Sequence, residues 1–281
     1  MVCIANKQNR SQIAHQAQDE SVSMFDRHIG IDYSGAQTPE SSLPGLRVFI
    51  ADGSSTPNEV KPPPSPRKYW TRRGVAEWLM AILREPPRTV IGIDHGFSFP
   101  LPYFEKYVIL QNWDIFLDDF CDHWPTDSPY TYVDFIRDGL RGKGADRTGD
   151  RKWRRITETR APRAQSVFKF DVQGSVAKST HAGIPWLRYL RRALGSSVHF
   201  WPFDGWTPRN GSHVVAEVYP SLWRSRYPTE DRTKDQQDAF AVCCWLQETD
   251  LANDLNRFFD PLLAPGERSI ANIEGWILGV S

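Results

Sequence analysis

Two short segments of this chain are nearly identical, and each carries an aspartate at its fourth position: IGIDYSG at 29–35 and IGIDHG at 91–96. Each reads as an apolar strand, Arg27–Tyr33 and Thr89–Asp94, bounded by a turn. Asp32 and Asp94 fall at the strand ends, with Gly30, Gly35, Gly92 and Gly96 beside them. Glycine there leaves room for close approach of a phosphate or of another backbone. A fold built around this duplicated device must contain a sheet that delivers two carboxylates to one crevice.

The rest of the pattern fits such a sheet. A second strand is predicted at Leu46–Ala51, turning at Asp52-Gly53 into the proline-rich loop KPPPSPRK, which suggests a hairpin or meander with a flexible connection. Thr71–Arg84 carries Val75, Trp78, Leu79 and Ile82 at helical spacing and stops before Pro86-Pro87. Residues 101–138 read as short helices rich in aspartate. Regularity returns with a helix at Ile184–Leu194, strands at Val198–Pro202 and Val214–Tyr219, and a helix whose capping box is Thr233 with Gln236. Ala239, Val242, Cys243 and Leu246 form the apolar face of that helix, and a last helix is expected over Ile270–Leu278. Hairpin strands followed by βαβ crossovers imply a mixed sheet flanked by helices.

With 281 residues, 40% of them hydrophobic, one large core is affordable, and 34 basic residues balance 34 acidic ones. Any nucleic-acid signal must therefore be local. Cys3, Cys121, Cys243 and Cys244 form no CxxC pair and no metal-ligand spacing, which is how a reduced intracellular protein uses cysteine. No run reaches the roughly 18 apolar residues of a membrane span, and residues 1–25 lack the apolar centre of a signal peptide. The expectation is a cytoplasmic protein with no membrane partner, a loose polar tail over 1–25, one domain over 26–281, and Met24 as an alternative start.

Three further acids join Asp32 and Asp94. Glu217 lies inside VVAEVYP, and Asp235 and Asp238 fall three apart in the first turns of a helix, so they share a face. Hard carboxylate oxygens suit Mg²⁺ or Mn²⁺, and several of them close together repel unless cations intervene. A two-metal centre uses such a cluster. Taken singly, Asp32 and Asp94 could equally cap turns, Asp235 and Asp238 could favour a helix N-terminus, and Glu217 could face solvent or pair with an arginine. Their conjunction points to a site.

GIDYSG at 30–35, VIGIDHGFSFP at 90–100, GIPWLRYLRRAL at 183–194, AEVYPSLW at 216–223, DQQDAFAVCCWL at 235–246 and EGWILGV at 274–280 together resemble a family of uncharacterised domains described as predicted ribonuclease H-like nucleases. The resemblance runs from Gly30 to the C-terminus in consistent order. It implies an α/β, ribonuclease H-like fold: a five-stranded mixed sheet flanked by helices, with a helical and basic insertion (about 101–172) after the fourth strand. It also implies an acidic centre like that of ribonuclease H and Holliday-junction resolvases. Asp32 then matches the first-strand aspartate, Asp94 the fourth-strand acid, and Asp235 with Asp238 the paired helical aspartates of the resolvases. These four would hold two Mg²⁺ or Mn²⁺ ions, with Glu217 a ligand or a group orienting one. The first-helix glutamate of ribonuclease H has only Glu77 as a candidate, on a face read as solvated.

Residues 141–163 hold nine Lys/Arg against three acids. Lys143, Arg151, Lys152, Arg154 and Arg155 could neutralise phosphates and Trp153 could stack on a base. The segment could instead be a solvated loop, or be cancelled internally by Asp114, Asp118, Asp119, Asp122, Asp127, Asp134 and Asp138. His95 could assist proton transfer or simply pack in a turn. No GxSxG, Walker A, HExxH or GxGxxG signature occurs. The leading expectation is a metal-dependent nuclease acting on DNA or RNA. A non-catalytic ribonuclease H-like binding module and a phosphotransferase of the sugar-kinase and actin type are the alternatives.

Overall fold

A computed structural model describes residues 23–64, 67–171 and 176–281. Six strands, β1 (Arg27–Asp32), β2 (Arg47–Asp52), β3 (Asn58–Glu59), β4 (Thr89–Asp94), β5 (Val198–Trp201) and β6 (His213–Glu217), form one mixed sheet in the order β3-β2-β1-β4-β6-β5. β2 is antiparallel to β1 and β3, whereas β1, β4, β6 and β5 are mutually parallel. The protein is thus α/β, with helices on both faces of the sheet.

Alternation along the strands divides the core. Ile29, Ile31, Ile91, Ile93 and Val215 point to one face and pack with Val75, Leu79, Leu117, Leu187 and Leu190. Those partners come from α1 (Arg72–Ile82), α3 (Trp113–His123) and α6 (Val176–Leu194). On the other face Val90, Val214 and Ala216 pack with Val242 and Leu246, and Phe49 and Ala51 with Ala239 and Cys243. All four helical residues belong to α7 (Lys234–Leu251). Between β4 and α6 the chain forms α2 (Leu101–Tyr107), α3, α4 (Val133–Arg137) and α5 (Ile156–Arg160); after α7 come α8 (Leu255–Phe259) and α9 (Pro265–Glu274).

Several expectations need correction. The sheet has six strands rather than five, because Glu59 pairs with Phe49 and is pinned by Arg47 at 2.9 Å, making a short strand from the expected loop. α6 starts at Val176, eight residues before the predicted Ile184, and passes through Pro185. Pro185 cannot donate to the His181 carbonyl one turn back, and the Thr126 hydroxyl donates to it instead at 2.7 Å. The last helix ends at Glu274 rather than Leu278, because Gly275 takes φ +76°. Residues 1–22 of the expected tail and Cys3 lie outside the described residues. Met24 and Phe25 do not belong to a tail: their amides donate to the Asp250 carboxylate at 2.8 and 3.0 Å, and Phe25 is buried. Among the described residues no helix is long and apolar enough to cross a membrane.

Candidate active site

Strand parity places the acids. Asp32 and Asp94 are register partners at the C-terminal ends of adjacent parallel strands. They share the face of Gly30 and Gly92, two residues upstream in each case, and on that face lies α7. A Cβ on Gly30 would stand 2.2 Å from the Ala239 carbonyl oxygen and 2.6 Å from the Cys243 nitrogen. A Cβ on Gly92 would meet Val242 at 2.8 Å. These glycines therefore admit the helix; of the two occupants expected for the space, backbone takes it. Gly35 does the same for α6, where a Cβ would fall 2.1 Å from the Lys178 carbonyl oxygen.

With α7 pressed against β1, its first turn reaches the strand ends. Thr233 caps it, accepting from Gln236 at 3.3 Å while the Gln236 side chain accepts from Thr233 at 2.9 Å. Asp235 and Asp238 then line the same cleft as Asp32 and Asp94, a space of about 880 Å³. Tyr132, Phe170 and Tyr219 contribute to its walls, and Lys178 and Lys234 carry positive charge there. The loop after β1 is held by Arg72, a buried guanidinium that donates to the carbonyls of Ser34, Ala36 and Gln37 at 3.2, 2.6 and 2.9 Å.

The electrostatics of this floor are unbalanced. Burial, followed by the charges of Asp94, Asp238 and Asp235, holds the Asp32 pKa well above the ordinary carboxylate range. Burial, then Asp238 and Glu217, does the same to Asp94. Asp238 is raised by burial and pulled back by Arg224, whose guanidinium lies 3.3 Å from both of its oxygens. Asp32, Asp94 and Asp235 make no side-chain hydrogen bond or ion pair among the described residues. Unpartnered carboxylate oxygens are the donor type that a hard divalent cation takes, but among the described residues no three such groups converge on one point as the side chains stand.

Glu217 is not brought to this floor. It pairs in register with Ile93, so it projects to the opposite face of the sheet from Asp94. Both its oxygens are taken by Arg155, at 2.5 and 2.7 Å, and one also accepts from the Phe97 amide at 3.1 Å. Of the two bland readings of this acid, the arginine partner is the one realised. Arg155 is bound to Glu158 as well, at 2.8 Å, and all three side chains are at most 3% exposed. Burial disfavours the Arg155 charge, yet Glu217 and Glu158 hold its pKa above the ordinary value. Glu274 completes the cluster, accepting from the amides of Leu101 and Ile156 at 2.7 and 2.8 Å. The EVYP and EGW segments thus clamp α2 and α5 to the sheet.

The basic segment divides in the same way. Arg155 is buried and cannot touch a nucleic acid, which corrects that assignment. Arg154 donates to the carbonyls of Glu158 and Ala164. Trp153 is half-buried, edge-on to Phe168 with Lys106 over its ring, which is packing rather than an open stacking platform. Lys143, Arg151 and Lys152 are exposed. The aspartates before the segment do not cancel this charge: Asp114 and Asp118 pair with Arg188, Arg191 and Arg192 of α6, and among the described residues Asp119 alone of that stretch reaches into the segment, to Arg147 at 2.8 Å. His95 is buried against Tyr33 and Phe97, bonds its neighbour's carbonyl, and has its pKa pushed down to about 4 by burial, so it packs rather than shuttles protons. Glu77 is exposed on α1, away from the cleft residues.

No family model, no curated protein and no solved structure matches this chain.

The site stands on its own geometry. Four predicted residues, Asp32, Asp94, Asp235 and Asp238, come together and Glu217 does not. The cleft cations Lys178, Lys234 and Arg224 and the aromatic walls Tyr132 and Tyr219 were not foreseen. Lys234 could have been, since it directly precedes Asp235 at a capped helix start; the others reach the cleft only through the fold.

Proposed function

We propose that this chain is a metal-dependent phosphodiesterase of the ribonuclease H-like type, hydrolysing nucleic acid in the cytoplasm. One observation carries the reading: Asp32 and Asp94, register partners without any counter-charge bonded to them, end adjacent parallel strands under the acidic first turn of α7. A sheet that is antiparallel on one side of β1 and parallel on the other supports the ribonuclease H-like part. Free thiols at Cys121, Cys243 and Cys244 suit a reducing compartment.

Asp32, Asp94, Asp235 and Asp238 would hold two Mg²⁺ or Mn²⁺ ions, which in such a centre supply Lewis-acid activation of water and of the scissile phosphate. The protein's own residues do the rest. Arg224 restrains Asp238 in the resting cleft and, with Lys234, offers positive charge to non-bridging phosphate oxygens. Arg72 fixes the loop that walls the cleft, so the acids sit on a rigid floor. Glu217 contributes by holding Arg155 and through it the insertion.

A non-catalytic module is the second reading, favoured by Asp238 being engaged by Arg224 and by the failure of three acids to converge. Incubation with labelled single-stranded and duplex DNA and RNA plus Mn²⁺ separates the two. The phosphodiesterase reading expects cleavage that Asp32→Asn abolishes. Cleavage by neither protein on any substrate, or equal cleavage by both, contradicts it.

A further inference from the structure

We propose that the acidic cleft and a basic groove beside it form one track for a single strand of nucleic acid. The inference rests on the phosphodiesterase reading and specifies its substrate. The groove, about 380 Å³, is lined by Arg151, Lys152, Arg154 and Lys169 against the single acid Asp171. Asp171 also lines the acidic cleft, so the two spaces share a wall.

The charges at this junction are arranged for an external anion. Arg151 meets Asp171 at 3.1 Å, which leaves one acid already neutralised there. Among the described residues the Lys169 side chain bonds Gln165 alone, at 2.8 Å. Lys152 makes no side-chain hydrogen bond or ion pair among the described residues. Positive charge therefore borders the acidic cleft across the shared wall at Asp171. A polyanion whose scissile phosphate is screened by cations at the floor, and whose neighbouring phosphates need counter-charge, matches that polarity.

The cleft walls decide strandedness. Tyr132, Phe170 and Tyr219 are each half-buried on the cleft. Phe170 lies next to Asp171 at the boundary, but Trp124 stacks on its ring and Arg137 lies over it, so it is wall. Tyr219 has no ring or cation packed on it among the described residues. An aromatic ring on a cleft beside a cationic groove binds an unstacked base. A duplex offers it none, because its bases are stacked and paired inside. The substrate class is single-stranded DNA or RNA, with a base toward Tyr219 and the neighbouring phosphates passing over Lys152 and Lys169.

The test is fluorescence anisotropy of a labelled twelve-nucleotide oligothymidylate and of a blunt duplex of mixed sequence, in Ca²⁺, across a salt series. The expected result is tighter binding of the single strand. In the Lys152→Ala/Lys169→Ala variant, Lys152 being exposed and Lys169 half-buried, affinity should fall roughly tenfold, and the log–log salt slope should shrink by about 1.4 for two lost phosphate contacts. Tyr219→Ala should weaken binding by roughly tenfold without altering that slope. Equal or tighter binding of the duplex, or a lysine variant with unchanged affinity and slope, overturns the track. Cleavage of duplex unaffected by the lysine variant overturns the track alone. Single-strand binding without cleavage supports the track and counts against the phosphodiesterase reading alone.

Discussion

Gly30→Ala adds one methyl group at a residue that is not itself a candidate ligand, yet it should disable the site, because Gly30 is where α7 touches the sheet. The added Cβ would lie 2.2 Å from the Ala239 carbonyl oxygen, whereas real Cβ contacts essentially never fall below 3.0 Å. Backbone cannot swing aside as a side-chain tip can, so α7 must retreat by about 0.8 Å locally. Overpacking of this kind costs about 1–3 kcal/mol, or a melting temperature lower by about 2–10 °C for a chain of this size. The same retreat carries Asp235 and Asp238 away from Asp32 and Asp94, and a misplacement near 1 Å costs about a hundredfold in rate. The assay pairs thermal denaturation with Mn²⁺-dependent cleavage. Gly266→Ala is the control: it lies in α9 with nothing within 4 Å of a new Cβ, and should keep full activity at equal or higher stability. A Gly30→Ala protein with the parent's melting temperature and turnover would refute the claim that α7 position sets the site.

Three other outcomes follow from the same geometry. Asp32 and Asp94 have raised pKa values in the fold, so as pH climbs from the ordinary carboxylate range through their folded values the unfolded chain gives up protons that the native state keeps; metal-free stability must therefore fall over that window. Scanning calorimetry should show this decline, Asp94→Asn should flatten it, and saturating Mn²⁺ should reverse it. Arg155→Met, which strands two buried carboxylates, should cost about 3–5 kcal/mol in chemical denaturation, and Glu217→Gln should lower stability while leaving turnover per folded molecule within a few-fold of the parent; loss of turnover at unchanged stability would instead make Glu217 part of the reacting centre. Thr126→Val leaves the His181 carbonyl opposite Pro185 without its donor and should cost about 1–3 kcal/mol of unfolding free energy, with no change meaning that the carbonyl is satisfied otherwise.

What the sequence makes legible here is what depends on short-range pattern. The strand ends at Asp32 and Asp94, the Thr233 cap and the shared helical face of Asp235 and Asp238 all follow from periods of two and 3.6. What escapes depends on register across the sheet. The apolar setting of Glu217 groups it with the other acids, but its parity relative to Asp94 is fixed only by the pairing of β4 with β6. Arg155 lies 62 residues from Glu217 in sequence, so its burial could not be told from the exposure of Arg151 and Lys152 nearby. Pro185 hid eight residues of α6, since the hydroxyl that replaces its missing donor comes from Thr126. The two-residue β3 carries too little alternation to be seen.

The central claim is that the unpartnered acids at the ends of β1 and β4 are a cation site. Calorimetric titration of Mn²⁺, repeated with the oligothymidylate present, tests it most directly. The account predicts binding to the parent protein and its loss in the Asp32→Asn/Asp94→Asn protein. Binding that survives in that double variant, or no binding to the parent protein with or without the oligonucleotide, would contradict it.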